Sequence, residues 1–206
     1  MFRKIAIIAF LLLPFIAMAQ EKYAVVIGNA NYKSVDDVLN NPLNDAIDMK
    51  TTLESLGFTV YHIPDGTLEQ MQQAIINLKK KLSTFKNSYG IFYYSGHGVQ
   101  SKGENYLIPV DAKIPSENML PHVAVPLRFV LAELEDANNS FNLIILDACR
   151  NLPKGLIASA SKGGSDRGLN RVSHAPNGSI IMYAASSGET AKDGTGRNGV
   201  FTGQLL

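Results

Sequence analysis

Cys149 is the single cysteine among 206 residues and stands in the run Asp147-Ala148-Cys149-Arg150, directly behind an apolar stretch at 142–146. His97 stands between Gly96 and Gly98, behind a second apolar stretch at 89–94. A thiol attacks a carbonyl only as its thiolate, and a neighbouring imidazole can take its proton. Glycine on both sides leaves the imidazole uncrowded and lets the backbone approach a substrate closely. The backbone N–H groups of Gly98 and Cys149 are then the natural donors to an oxyanion. A free cysteine is more often a small buried hydrophobe. It is the pairing with His97 that favours catalysis at Cys149.

These two groups must be brought together by the elements in front of them. Residues 23–28 form a continuous apolar run ending in Gly28, which suits a strand buried on both faces. Residues 42–56 follow, with Leu43, Ala46, Ile47, Leu53 and Leu56 at helical spacing, and 58–63 alternate as a second strand. Thr67 with Gln70 three residues on opens another helix, whose apolar face is Met71, Ala74, Ile75 and Leu78. Lys79 to Lys81 read as the solvated end of that helix. Strands are expected at 89–94, 142–146 and 179–184, a short hairpin arm at 106–110 and a helix over about 126–137.

Alternating strands and helices predict an α/β fold with a mostly parallel central sheet and helices on both faces. Ligands in such sheets bind at the carboxyl ends of the strands. Three polar runs follow those ends: 95–98 (Ser-Gly-His-Gly), 147–150 (Asp-Ala-Cys-Arg) and 186–189 (Ser-Ser-Gly-Glu). They are expected to converge on one rim.

The N-terminus has a different character. Arg3 and Lys4 precede an apolar run at 5–16, and Ala17-Met18-Ala19 supplies a small-x-small pattern. This is the pattern of a signal peptide over 1–19, cleaved before Gln20. The run is too short for a permanent membrane span, and no cysteine follows it to accept a lipid. The mature protein is therefore expected to be exported, periplasmic or extracellular, with no membrane attachment after cleavage; the alternative reading of the segment is an uncleaved N-terminal anchor. One cysteine allows no internal disulfide, and a lone thiol on an exported chain is a candidate reactive group. A formal net charge of +1 gives no electrostatic pull towards nucleic acid or an anionic membrane. Apolar residues at 46% and charged residues at 18% fit one globular domain over 20–206.

The runs 93–98 (Tyr-Tyr-Ser-Gly-His-Gly) and 144–150 (Ile-Ile-Leu-Asp-Ala-Cys-Arg) resemble the two catalytic motifs of the caspase superfamily. His97 and Cys149 are 52 residues apart, close to the spacing of about 50 residues in that family. The resemblance extends through 25–32, 44–46, 56–58 and 198–202, so it covers nearly all of the mature chain. It implies a three-layer caspase-like fold and a Cys–His dyad. It also implies a large-subunit-like part over 20–152, a linker over 153–178 and the start of a small-subunit-like part over 179–206. Residues 201–206 look like a helix start without its body, which predicts that the natural chain continues.

Departures from the caspase pattern are informative. Asp147 stands where caspases carry Gln, and Asp45 and Ser95 fall on positions that resemble the metacaspase substrate pocket. The resemblance is thus to metacaspases and bacterial caspase homologues, and implies peptide or protein substrates with Arg or Lys at P1. A carboxylate in a low-dielectric pocket agrees with that, favouring a cation over another carboxylate. Glu189 or Asp193 is a further candidate for the pocket. The alternative for Asp147 is a structural carboxylate capping nearby N–H groups. The resemblance also implies self-cleavage in the linker, where Lys154, Lys162, Arg167 and Arg171 supply basic residues. The dyad requires no cofactor. Calcium activation, common among metacaspases, finds no D-x-[DN]-x-[DN]-G loop in the sequence. Two other readings stand beside this one: a caspase-like binding scaffold without turnover, and a gingipain- or clostripain-like cysteine peptidase.

Overall fold

The computed structural model describes residues 20–33, 38–149, 169, 172, 175–184 and 196–206. Strand β1 (Glu21–Gly28) is buried over its last six residues, the pattern of a strand covered on both faces. Its side chains alternate between two cores. Val25 and Ile27 pack with Met71, Ile75 and Leu78 of helix α2 (Leu68–Thr84), while Ala24 and Val26 pack with Ala46, Met49 and Leu53 of α1 (Pro42–Ser55). The same division runs through the neighbouring strands. In β3 (Ser88–Ser101), Phe92 and Tyr94 face the α2 side and Ile91 and Tyr93 the α1 side; in β6 (Phe141–Cys149), Ile144 and Leu146 oppose Ile145. Helix α4 (Leu127–Ala137) adds Leu127, Val130, Leu131 and Leu134 to the α2 side, and α5 (Val200–Leu205) adds Phe201 to the other. Helices therefore cover both faces of the sheet, as the alternation of elements predicts.

Strands β2 (Thr59–Pro64), β1, β3, β6 and β7 (Ser179–Tyr183) lie side by side in that order, all parallel. The sequence places the ends of the third and fourth long strands at Tyr94 and Leu146. The structure carries them on to Ser101 and Cys149, because residues 95–97 keep pairing with 147–149. Beyond that, residues 98–101 pair antiparallel with β4 (Glu104–Leu107), which pairs with β5 (Val125–Pro126). The hairpin arm expected at 106–110 is correspondingly shorter. The Ile108 N–H still donates to the His97 carbonyl (3.0 Å) in register with that ladder, and the chain then turns away, the Val110 N–H donating to the Gly66 carbonyl (3.1 Å). A 3-10 turn (Glu117–Met119) and the short α3 (Leu120–Val123) close a separate small core, where Leu120 meets Tyr32, Val99, Tyr106 and Ile108.

Helix α2 starts as its sequence indicates. Thr67 Oγ1 accepts the Gln70 N–H (3.3 Å), and Gln70 Oε1 accepts the Thr67 N–H (3.0 Å). Such a capping box contributes about 1 kcal/mol. At the other end Lys79 is not merely solvated: its ammonium lies 3.6 Å from Glu133 and ties α2 to α4.

Candidate active site

The pairing of β3 with β6 sets the site. Its last three rungs place Ser95 beside Asp147, Gly96 beside Ala148 and His97 beside Cys149. Neighbouring strands lie about 4.8 Å apart, so the backbones of His97 and Cys149 adjoin. The two motifs are not loops beyond the strands but their final paired residues. This makes the relative position of the two backbones as rigid as the sheet. The third run, including Glu189, lies outside the described residues, as do Asp193, the linker residues Lys154, Lys162, Arg167 and Arg171, and the signal segment 1–19.

His97 is buried, at 2% exposure. Its N–H donates to Tyr32 Oη (2.7 Å), and its carbonyl accepts from Tyr94 Oη (2.7 Å) and from the Ile108 N–H (3.0 Å). Gly96 makes room for both phenols: a Cβ there would lie 2.7 Å from each hydroxyl oxygen. Gly98 packs against the neighbouring strand, where a Cβ would come within 3.0 Å of the Ala148 Cβ and of Leu169 Cδ2.

On the α1 side of the same rungs lies a buried acidic cluster. Asp45, in the first turn of α1, is 1% exposed, and Asp147 is 7% exposed. Ser95 Oγ donates to Asp45 Oδ2 (3.3 Å) and the Gly199 N–H donates to Asp45 Oδ1 (3.0 Å). Thr202 Oγ1 donates to Asp147 Oδ2 (2.6 Å) and lies 2.7 Å from Tyr93 Oη. A hydroxyl has one proton to give, so with Asp147 ionised the chain runs from Tyr93 to Thr202 to Asp147. Both carboxylates meet at Gly199, where a Cβ would lie 3.2 Å from Asp45 Oδ2 and 3.3 Å from Asp147 Oδ2.

Burial is the largest influence on Asp45 and raises its pKa; the Gly199 N–H opposes it and the charge of Asp147 adds to it. The balance puts the Asp45 carboxyl at about 6, up from 3.8. Two carboxylates in one buried site resist ionising together, and a cation between them relieves that resistance. Burial, and then the Asp147 charge, also push the Tyr93 hydroxyl well above its ordinary value.

The segment that supplies Gly199 and Thr202 is clasped to α1. Arg197 grips Asp48 with two hydrogen bonds, Nε to Oδ2 (2.9 Å) and a terminal nitrogen to Oδ1 (3.0 Å). Asn198 donates to the same carboxylate (2.9 Å), and Asn44 donates to the Arg197 carbonyl (3.2 Å). Of the pocket residues named from the sequence, the structure brings Asp45, Ser95 and Asp147 together. Sequence reasoning does not identify Asp48, Arg197, Asn198, Gly199 or Thr202 as their support. The one signal was the Asn-Gly-Val-Phe-Thr run at 198–202, which carries resemblance but no stated role. A cleft of about 310 Å³ lined by Tyr61, Ile63, Gln73 and Ala74 lies at the β2 edge, on the far side of β1 from the site. Among the described residues no group of three or more His, Cys, Asp or Glu side chains could hold a metal ion.

Comparison with known proteins agrees with this architecture. The family model described as "Caspase domain", peptidase C14, matches residues 21–206. Mucosa-associated lymphoid tissue lymphoma translocation protein 1 of Homo sapiens is 33% identical over 135 residues, 65% of this chain and 15% of that protein. Its Mus musculus homolog matches with the same identity and coverage. The chain therefore spans only a small part of the length of these relatives. Among solved structures, a protein from Geobacter sulfurreducens shares the fold with a TM-score of 0.68, at 20% identity, over 90% of this chain and 80% of that one.

Proposed function

The chain belongs to the caspase-domain family of cysteine peptidases, and from that premise we propose that it is an exported endopeptidase that cleaves after Arg or Lys. The observation that carries the proposal is the rung pairing of His97 with Cys149, next to the pairing of Ser95 with Asp147. These rungs set the backbones of His97 and Cys149 next to the acidic cluster at the carboxyl ends of two central strands, which supports reading the first two as base and nucleophile.

In this reading the Cys149 thiolate attacks the scissile carbonyl, and His97 takes the thiol proton. The tetrahedral oxyanion is held by the N–H groups of Gly98 and Cys149. His97 then gives its proton to the leaving amine, and water hydrolyses the acyl-enzyme. The side chain before the scissile bond enters the cluster of Asp45, Ser95 and Asp147. A guanidinium or ammonium there meets two carboxylates, whereas an aspartate would add a third negative charge to a buried site. Glu189 would extend this cluster. No step requires a cofactor or calcium. Export rests on the signal pattern at 1–19.

The caspase-domain match displaces the gingipain- or clostripain-like alternative. An arginyl chloromethyl ketone distinguishes a peptidase from a scaffold that lacks turnover. The reagent is expected to alkylate Cys149 of the full chain at least about a hundredfold faster than in His97→Ala. Equal rates on the two proteins would leave the scaffold reading in place.

A further inference from the structure

The segment after β1 does more than link two elements. The Asn29 N–H donates to the Ser95 carbonyl (2.9 Å), and the N–H groups of Ala30 and Asn31 both donate to Asp65 Oδ1 (2.9 Å each). On the far side, the Lys33 N–H donates to the Val110 carbonyl (2.9 Å). Asp65 holds its charge for this purpose: burial alone would raise its pKa, but the bonds from Asn31 and Ala30 bring it below the usual value. Tyr32 is thus anchored from both directions and is only 4% exposed.

What Tyr32 reaches is the histidine. Its hydroxyl oxygen accepts the His97 N–H at 2.7 Å, and its ring lies 4.5 Å from the imidazole, tilted by 45°. Tyr94, fully buried, gives its proton to the His97 carbonyl at 2.7 Å, with the Ile108 carbonyl at 3.0 Å sharing it. The two hydroxyl oxygens are 3.5 Å apart, and Tyr94 can accept from Tyr32 there. A backbone N–H only donates and a carbonyl only accepts, so the bonds run one way round: His97 N–H, Tyr32, Tyr94, His97 carbonyl. Sheet pairing ordinarily satisfies a residue's N–H and carbonyl with neighbouring backbone, whereas here two phenols reach both groups of one residue.

We infer that Tyr32, supported by Tyr94, is a positioning residue that fixes both the backbone and the ring plane of His97 for proton transfer. The inference rests on the reading of His97 as the general base. Gly96 is the condition for it, because any side chain there would displace the two phenols. The acidic cluster draws on Tyr93, Ser95, Asp45 and Thr202, none of which the ring uses. Loss of the ring should therefore change the chemical step and spare substrate binding.

Tyr32→Phe keeps the aromatic contact and removes the hydroxyl that accepts the His97 N–H and reaches Tyr94. With an arginyl substrate it is expected to lower kcat about tenfold while KM changes less than about twofold. Because Cys149 is the only thiol, its alkylation by iodoacetamide reports the thiolate directly. The acid limb of that pH profile should move upward, so that alkylation at pH 6 slows by about tenfold. Tyr94→Phe, which removes the donor at the opposite pole, should reproduce both changes and serves if Tyr32→Phe does not fold. An unmoved alkylation profile in a folded variant, or a KM that rises as far as kcat falls, would overturn the inference. His97→Ala is the control for the underlying reading. If it alkylates like wild type, His97 is not the base; if it shifts and the tyrosine variants do not, only the positioning role fails.

Discussion

Replacing Asp45 by Asn removes one of two carboxylates from the buried cluster while keeping its shape. At pH 7.5 the wild-type group is about 97% ionised, given a pKa of about 6. Truncating one partner of a buried charge pair costs about 2 kcal/mol at the low end of the range. That corresponds to a loss of about thirtyfold in kcat/KM for an arginyl substrate. At pH 5.5 only about a quarter of Asp45 remains ionised, so the wild type has lost most of the advantage and the gap should narrow to about eightfold. Titration of His97 and Cys149 cancels in the ratio of wild type to Asp45→Asn, which is why the ratio is the quantity to plot. The assay is kcat/KM for a fluorogenic arginyl peptide from pH 5.5 to 7.5 on both proteins. A ratio flat across that range, or near one at pH 7.5, would refute the placing of the substrate cation beside Asp45. Stability supplies a second reading of the same group. A carboxyl raised from 3.8 to about 6 binds its proton more tightly in the folded state, and the stability this gives is full below about pH 3.8 and lost as pH rises through 6. Asp45→Asn should therefore gain in Tm relative to wild type as pH climbs from about 4 to 6.5.

Two further variants probe the support of the cluster. Thr202→Val leaves Asp147 without its 2.6 Å donor and Tyr93 without its acceptor; KM for arginyl peptides should rise about tenfold with kcat little changed, by steady-state kinetics. Asp48→Ala opens the clasp on Arg197 and Asn198. Because Arg197 is largely exposed, its effect should be smaller, about threefold in KM, and Asp48→Glu should recover part of it.

Local pattern made much of the fold legible. The apolar run of β1, the Thr67–Gln70 capping box and the heptad-like face of α2 each depend on neighbours a few residues away, and each is where the sequence puts it. The extensions of β3 and β6 are different. Residues 95–97 read as polar loop because Ser, Gly and His carry no strand signal; they are strand because 147–149 pair with them from 52 residues away. The site divides in the same manner. Cys149 and His97 declare themselves by residue type, and Asp45, Ser95 and Asp147 by resemblance. Tyr32, Asp48 and Thr202 act through contacts that span 65, 149 and 55 residues respectively; the resembling runs at 25–32 and 198–202 include Tyr32 and Thr202 but give neither a role, and nothing local marks Asp48. A tyrosine beside a strand end reads as core until its hydroxyl is seen on the His97 N–H.

The central claim joins a nucleophile to a basic specificity. A peptide library randomised at the P1 position, digested by wild type and by Cys149→Ala, tests both at once. The expected result is cleavage after Arg and Lys by wild type, and no cleavage by a folded Cys149→Ala. Cleavage after Asp, or equal turnover by the two proteins, would contradict the account.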